Sequence, residues 1–288
     1  MITSLVAIVG PTASGKSDLA MKVALKHNGE IICADSRTVY RGMDIGTAKS
    51  SQEDQSKVRH HLIDIVEPGQ LFTAAEFKKL ADAAILEIGS RGKLPIMVGG
   101  TGLYVDAVLF DYQFGAPSDK KLRDHLEELS LEELQLMCSE SNIDIPINKQ
   151  NRRHLIRAIE LGGLMNHQKV LRSNTIVVGI STEREKLRAR IEKRAHEMVE
   201  RGIIEEVQFV GEKYGWDSEA MTANIYRIFS NVVKETKSID LAIDEVVKSD
   251  MDLAKRQVTW FKRNKHIIWS DKPESLIAAI DKFVGLST

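Results

Sequence analysis

Leu5-Val6-Ala7-Ile8-Val9, followed at once by Gly10-Pro11-Thr12-Ala13-Ser14-Gly15-Lys16-Ser17, decides the fold. The first five residues are a continuous apolar run, the mark of a strand buried on both faces in a parallel sheet. The next eight fit G-x4-G-K-[ST] without a mismatch, and helical spacing begins directly after them at Leu19, Ala20, Val23 and Ala24. Strand, glycine loop and helix together form a phosphate cradle rather than a turn that merely joins two elements. Backbone N–H groups at the helix start point at an anion, Lys16 neutralises its oxygens, and the Ser17 hydroxyl can hold Mg²⁺. The motif identifies a bound di- or triphosphate, not a reaction.

Working outward, Glu30-Ile31-Ile32-Cys33-Ala34 reads as a second short strand that ends at Asp35. A helix carrying Phe72, Ala75, Phe77, Leu80, Ala84, Ile85 and Ile88 follows, with Gly89 expected to stop it. Leu94-Pro95-Ile96-Met97-Val98 is a third strand, ending in Gly99-Gly100-Thr101-Gly102. Strands alternating with helices predict an α/β fold: a P-loop NTPase-like parallel sheet flanked by helices. From about Gly115 the texture changes. Between Asp119 and Glu140 three cations, Lys120, Lys121 and Arg123, face seven acids, a local −4, and the pattern is helical. No strand run returns until Thr175–Ile180. A helical insertion domain at 115–170 is therefore expected within a catalytic core of 1–114 and 171–288. Helices near 183–201, 203–213, 222–236 and 239–263 and the apolar pair Ile267-Ile268 complete the chain.

Over 288 residues, hydrophobic residues are 43% and charged residues 28%, which excludes a disordered or coiled-coil chain. Two cysteines, Cys33 and Cys138, make neither a disulfide framework nor a four-ligand zinc site. No run approaches the roughly 20 apolar residues that span a bilayer. A soluble, cytoplasmic protein with no membrane partner is expected. The formal charge is −1, which taken alone argues against a nucleic-acid partner. Resolved along the chain it is a cancellation. Lys255, Arg256, Lys262, Arg263 and Lys265 form an acid-free +5 block. Lys149, Arg152, Arg153, Arg157, Lys169 and Arg172 against Glu160 form another +5. Basic blocks of this size steer RNA with salt-sensitive affinity.

A nucleotide hydrolase usually has an acid at the end of a neighbouring strand. The third strand ends in Gly99-Gly100-Thr101 instead, while the second ends in Asp35, followed by Ser36, Arg37 and Thr38. Asp35 is open to three readings: metal ligand, general base, or cap of the next turn. His60 and His61, being adjacent, cannot share one helix face and have no third ligand at a recognisable spacing, so a structural or substrate-adjacent role is expected.

Six stretches together resemble one family, the tRNA dimethylallyltransferases (isopentenyl-diphosphate:tRNA transferases). They are GPTASGKS at Gly10–Ser17, DSRTVYRGMDIGTAK at Asp35–Lys49, HHLIDI at His60–Ile65, VGGTGLY at Val98–Tyr104, RHLIRAIE at Arg153–Glu160 and AKRQVTW at Ala254–Trp260. The resemblance covers residues 5–265, and the block from Asp35 to Lys49 is its most specific part. It implies transfer of a five-carbon prenyl group from dimethylallyl diphosphate to N6 of adenosine-37 in the tRNA anticodon stem-loop. The missing acid then makes sense, because no water has to be activated against a γ-phosphate. The protein must stabilise a departing pyrophosphate and aim a weak nucleophile at C1.

The resemblance also implies roles. Diphosphate would be bound by Gly10, Thr12, Ala13, Ser14, Gly15, Lys16, Ser17 and Arg194, with Mg²⁺ as cofactor on Ser17. Asp35 would take the N6 proton, with Lys16 and Thr101 completing the catalytic set. Ser36, Arg37 and Thr38 would contact an adenosine flipped from its stack. Asp35, Thr101, Arg123, Arg153, Arg157, Tyr226 and Arg227 would be further tRNA contacts, the insertion among them. Trp260 and Phe261 either stack on RNA or pack a helix end on the core. A monomer of the bacterial type is expected, since two cysteines leave none for the zinc finger of eukaryotic relatives. Three places depart from the family pattern: Thr38 where a Gln is usual, Ile225 before Tyr226-Arg227 where a Gly is usual, and Asp250-Met251 where Thr-Arg is usual. They bear on the tRNA contacts and leave the donor loop intact. The competing readings are a P-loop small-molecule kinase using ATP, an isopentenyltransferase acting on free AMP or ADP, and a non-catalytic RNA-binding module.

Overall fold

The computed structural model describes residues 3–115, 119–143, 149–163 and 170–287. Six strands pair in parallel in the order β3-β2-β4-β1-β5-β6: β1 (Leu5–Val9), β2 (Gly29–Cys33), β3 (His60–His61), β4 (Leu94–Gly99), β5 (Thr175–Ile180) and β6 (Ile267–Ser270). The helices are α1 (Lys16–Lys26), α2 (Gln52–Lys57), α3 (Ala74–Ser90), α4 (Gly102–Leu109), α5 (Lys120–Glu128), α6 (Leu131–Glu140), α7 (Arg152–Glu160), α8 (Arg184–Glu200), α9 (Ile203–Tyr214), α10 (Asn224–Val233), α11 (Ile239–Phe261) and α12 (Pro273–Ser287). The chain divides into two compact units, 1–109 with 171–288, and 110–170. The second unit thus starts at Phe110, five residues before the change in composition.

All five residues of β1 are buried. Val6 and Ile8 lie in register with Ile96 and Val98 of β4 on one side, and with Ile176 and Val178 of β5 on the other. A central parallel strand has no polar face, which is why the sequence shows no alternation there. One core packs α1 and α12 on the sheet through Leu19, Val23, Leu276 and Ile280. A second gathers Val39, Tyr40 and Met43, from the segment after β2, among Ile191, Val207, Tyr226, Phe229 and Val246 of α8–α11. Burial of each such side chain contributes about 1.5–3 kcal/mol. These three anchors fix the path of the chain immediately beyond Asp35.

The carboxyl ends of β2 and β4 approach unusually closely. A Cβ on Gly99 would lie 2.0 Å from the Ala34 carbonyl oxygen, so only glycine lets the strand ends meet. Gly100 and Gly102 are constrained in the same way by Gln257 and by the Trp260 indole. The glycines of the VGGTG stretch are therefore places of close approach. Gly99→Ala is expected to force β2 and β4 apart, lower stability by about 1–3 kcal/mol and depress activity further; thermal melts and turnover of the variant check this.

Several elements differ from the reading of periodicity. The helix α3 runs through Gly89 to Ser90, because Gly89 serves a contact with Thr3 rather than a stop. The acidic stretch is two helices, divided at Ser130, whose side chain and that of Glu133 form a capping box. The segment expected at 222–236 shortens to α10, preceded by a 3-10 turn at Ala220–Thr222. The short α2, β3 and α4, and the whole of α12, had no expectation. Two residues of β3 are too few to show a period.

In the second unit, Leu126, Leu134, Cys138, Leu155 and Ile156 form a small core. Arg123 and Arg157 both pair with the buried carboxylate of Glu160, at 3.2 and 3.0 Å. Arg152 donates to the carbonyls of Glu127 and Leu129 at the end of α5. In the first unit, Arg172 pairs with Asp82 at 2.6 Å. The second +5 block is therefore not a continuous cationic face: three of its members, Arg152, Arg157 and Arg172, hold partners within their own units, and Lys169 lies outside the described residues. Arg153 is exposed.

Candidate active site at the carboxyl edge of the sheet

In a parallel sheet all strands end on one edge, and loops there can converge on a ligand. Gly10 ends β1 and starts the phosphate loop, which enters α1 through Gly15 in the left-handed region at φ 91°. Ala13 also takes a left-handed conformation, φ 58°, a strained setting for a residue with a side chain and one typical of functional loops. Gly15 makes no side-chain cap for α1, so the first-turn amides keep their positive end for an anion. The buried Ser14 hydroxyl has no hydrogen-bond partner among the described residues.

Two arginines one turn apart on α8 reach this loop. Arg190 donates to the carbonyls of Ala13 and Ser14 at 3.4 and 3.2 Å. Arg194 donates to the Thr12 hydroxyl at 2.8 Å. Lys16 donates to the Pro11 carbonyl at 3.1 Å. Burial pushes its ammonium down to about 8; the Asp35 charge nearby opposes this, and Arg194 reinforces it.

The Thr12 N–H is not free for phosphate. It donates to Oε1 of Gln257 at 2.8 Å, and the Gln257 amide donates in turn to the Gly100 carbonyl at 3.1 Å. Thr12, expected among the diphosphate-binding residues, therefore has its amide committed to Gln257. Gln257 and Arg190 carry roles that sequence reasoning missed. Gln257 lies inside the quoted AKRQVTW block, and Arg190 stands four residues before Arg194, so the spacing held a signal for each.

Asp35 stands two residues beyond β2. Its Oδ1 accepts the Arg37 N–H at 2.8 Å, so the carboxylate does brace a turn, and the residue lines the cleft region. Thr101, across the Gly99 contact, accepts the Ser36 N–H at 3.0 Å, and its own N–H donates to the Ala34 carbonyl at 3.3 Å. Arg37 reaches the Glu219 carbonyl at 3.2 Å and the Thr222 hydroxyl at 3.3 Å. The Thr38 hydroxyl is buried and lacks a partner among the described residues.

Two clefts meet at these residues. One, about 720 Å³, is lined by the phosphate loop, Lys16, Ser17, Asp35, Thr38 and His60. The other, about 450 Å³, is lined by Ser36, Arg37, Thr101, Ile225, Arg256 and Trp260. Thr12, Asp35, Thr47, Ala48 and Arg194 line both. An acid and a cation thus stand on the boundary between a phosphate-binding cleft and a second one of mixed lining.

The wall formed by residues 44–48 is tethered. Glu206 of α9 accepts the N–H groups of Asp44, Ile45 and Gly46 at 2.8, 2.8 and 2.9 Å, and the Tyr226 hydroxyl at 2.5 Å. Buried Lys49 ties Asp44 and Asp64 together, both at 2.5 Å. Tyr226, expected among the RNA contacts, is a fully buried core residue; burial raises its hydroxyl well above the ordinary range, and it acts on the wall through Glu206. Arg227 is exposed on α10 and lines neither cleft. Phe261 is buried in the core, while half-buried Trp260 packs on α4, donating to Asp106 at 2.8 Å, and also lines the second cleft. His61 pairs with buried Glu30 at 2.7 Å, and His60 bonds the Val58 carbonyl at 2.8 Å. No cluster of three His, Cys, Asp or Glu side chains suited to a metal occurs among the described residues. No helix among them is long and apolar enough to cross a membrane. Cys33, beside the site, has its thiol pushed up to about 12, chiefly by burial.

Comparison with known proteins gives a consistent picture. The sequence model of the IPP transferase family matches residues 38–264. A tRNA dimethylallyltransferase of Anoxybacillus flavithermus is 40% identical over 285 residues, covering 95% of this chain and 92% of that relative. The crystal structure of the full-length tRNA isopentenylpyrophosphate transferase from Bacillus halodurans superposes with a TM-score of 0.75 at 37% identity, covering 98% of this chain and 96% of that one. A eukaryotic dimethylallyltransferase, crystallised acting on tRNA, superposes with a TM-score of 0.84; at 23% identity, covering 98% of this chain and 80% of that one, it speaks for the fold.

Proposed function

Because the chain belongs to the IPP transferase family, we propose that it is a tRNA dimethylallyltransferase, carrying the prenyl group of dimethylallyl diphosphate to N6 of adenosine-37 with release of pyrophosphate. The observation that carries the reading is Asp35 at the junction of the two clefts, beside a complete phosphate loop. The donor diphosphate occupies the loop side. There Lys16, Arg194, the Ser14 hydroxyl and the helix-start amides of α1 oppose charge that grows on the leaving oxygen. The residues fit a Mg²⁺ that arrives with the diphosphate. Ser17 is exposed at the start of α1 and lines the phosphate-loop cleft, where its hydroxyl is a hard oxygen ligand of the kind such an ion takes. Bound there, it would be held by Ser17 and would offset leaving-group charge.

The adenine enters the second cleft, past Arg37, Thr101 and the tethered wall. Its N6 attacks C1, the N6–C1 bond forms as the C1–O bond breaks, and the N6 proton passes to Asp35. Thr101 and the Arg37 N–H hold the segment that carries Asp35. The exposed block Lys255, Arg256, Lys262, Arg263 and Lys265 supplies cations for the stem-loop phosphates. Arg153 is an exposed contact of the same kind. Arg123 and Arg157 contribute through whatever their pairing with Glu160 leaves available. The enzyme works as a monomer in the cytoplasm.

Labelled dimethylallyl diphosphate with Mg²⁺ and unmodified tRNA, AMP or no acceptor tests the proposal. Label is expected in tRNA alone, with one pyrophosphate per transfer. Label in AMP alone, or none in tRNA at any enzyme level, overturns it.

A further inference from the structure

Asp250 lies within α11 with its side chain 6% exposed and its Oδ2 2.5 Å from Nη2 of Arg194. The same nitrogen donates to the Thr12 hydroxyl at 2.8 Å. One guanidinium is therefore shared between a buried acid and the mouth of the phosphate loop, at the boundary of the two clefts. Burial pushes the Asp250 carboxyl up, and the Arg194 charge and hydrogen bond pull it back. Arg194 is the cation that offsets this acid, so drawing the guanidinium fully onto a ligand would strand a buried carboxylate, a costly arrangement.

We propose that Asp250 is a positioning residue that holds Arg194 back from the diphosphate site, so that the pyrophosphate product is bound less tightly and leaves sooner. The inference rests on the donor reading given above. The reasoning is electrostatic. Before transfer, one diphosphate oxygen is esterified and carries no charge. Once the C1–O bond breaks, that oxygen gains a full negative charge, and pyrophosphate pulls hardest on any nearby cation. A guanidinium with a carboxylate on the same nitrogen answers that pull only in part. The restraint falls mainly on the product, where excess affinity would slow turnover. Thr12 and Asp250 fix the guanidinium from two sides, so its position survives even though its charge is shared.

Asp250→Asn retains the shape and one acceptor and removes the charge. Calorimetric titration with inorganic pyrophosphate and Mg²⁺ is expected to show binding about 5–10-fold tighter in this variant than in the parent protein. In multiple-turnover transfer, KM for the donor falls and kcat falls with it, as release becomes limiting. In an Arg194→Gln background the same change leaves pyrophosphate affinity unaltered. Should Asp250→Asn not fold, Asp250→Thr is titrated in its place with the same expectation. A purely structural Asp250 predicts unchanged or weaker pyrophosphate binding with a lowered Tm, and that result overturns the proposal while transfer to tRNA stands. If the parent protein takes up no pyrophosphate at all, the donor assignment of the loop fails and this inference falls with it.

Discussion

Asp35→Asn is expected to slow prenyl transfer by about 10²-fold or more, with pyrophosphate affinity nearly unchanged. An exocyclic adenine amine is a poor nucleophile because its lone pair is delocalised into the ring. It attacks usefully only if its proton is taken as the new bond forms. The asparagine keeps an oxygen to accept the Arg37 N–H now held at 2.8 Å by Oδ1, so the turn and the Thr101–Ser36 contact persist. What is lost is the acceptor for the N6 proton. Single-turnover assays with labelled donor measure the chemical step directly, and calorimetry with pyrophosphate reports the loop. A variant that retains transfer within about threefold would remove Asp35 from the role of base.

Lys16→Met is expected to have opposite effects on function and stability. Removing the ammonium takes away a charge opposed to the leaving diphosphate, and transfer should fall by about 10²–10³-fold. The fold, however, gains. Burial holds the folded-state value at about 8 against 10.5 for the free side chain. Below about pH 8 the native protein carries a charge it disfavours, and the cost is fully present there. The cost fades as pH rises from about 8 towards 10.5, because only the unfolded chain then keeps the proton. At pH 7 the variant should be more stable by about 1–3 kcal/mol, or several degrees of Tm, with the gap closing at alkaline pH. By the same logic, pyrophosphate affinity of the parent protein should weaken as pH passes about 8. Melts and titrations at pH 7.5 and 9 test both halves.

What was legible in the sequence was what is local. The apolar run at Leu5–Val9 and the loop after it declare strand, cradle and helix within seventeen residues, and Asp35 is marked by its place at the end of the next strand. The site's other half was not legible, because its partners are distant. Gln257 meets Thr12 across 245 positions, Arg190 meets Ala13 across 177, and Tyr226 meets Glu206 only after α9 and α10 pack together. No periodicity encodes such pairings. Charge counting failed for a related reason. Arg123, Arg157 and Arg172 count as positive in a sum, yet each is held by a carboxylate in space. Glycines misled once: Gly89 looked like a stop and is a contact.

The latch between Gln257 and the phosphate loop has a temporal consequence. The loop leaves the ribosome well before the groups that brace it, since Arg194, Asp250 and Gln257 follow it by about 180 to 245 residues. A nascent chain with the entire cradle motif therefore lacks the groups that brace it, and acquires them only when α11 emerges and docks. A chain cut short before residue 257 carries its most recognisable motif intact and lacks the side chain that latches it.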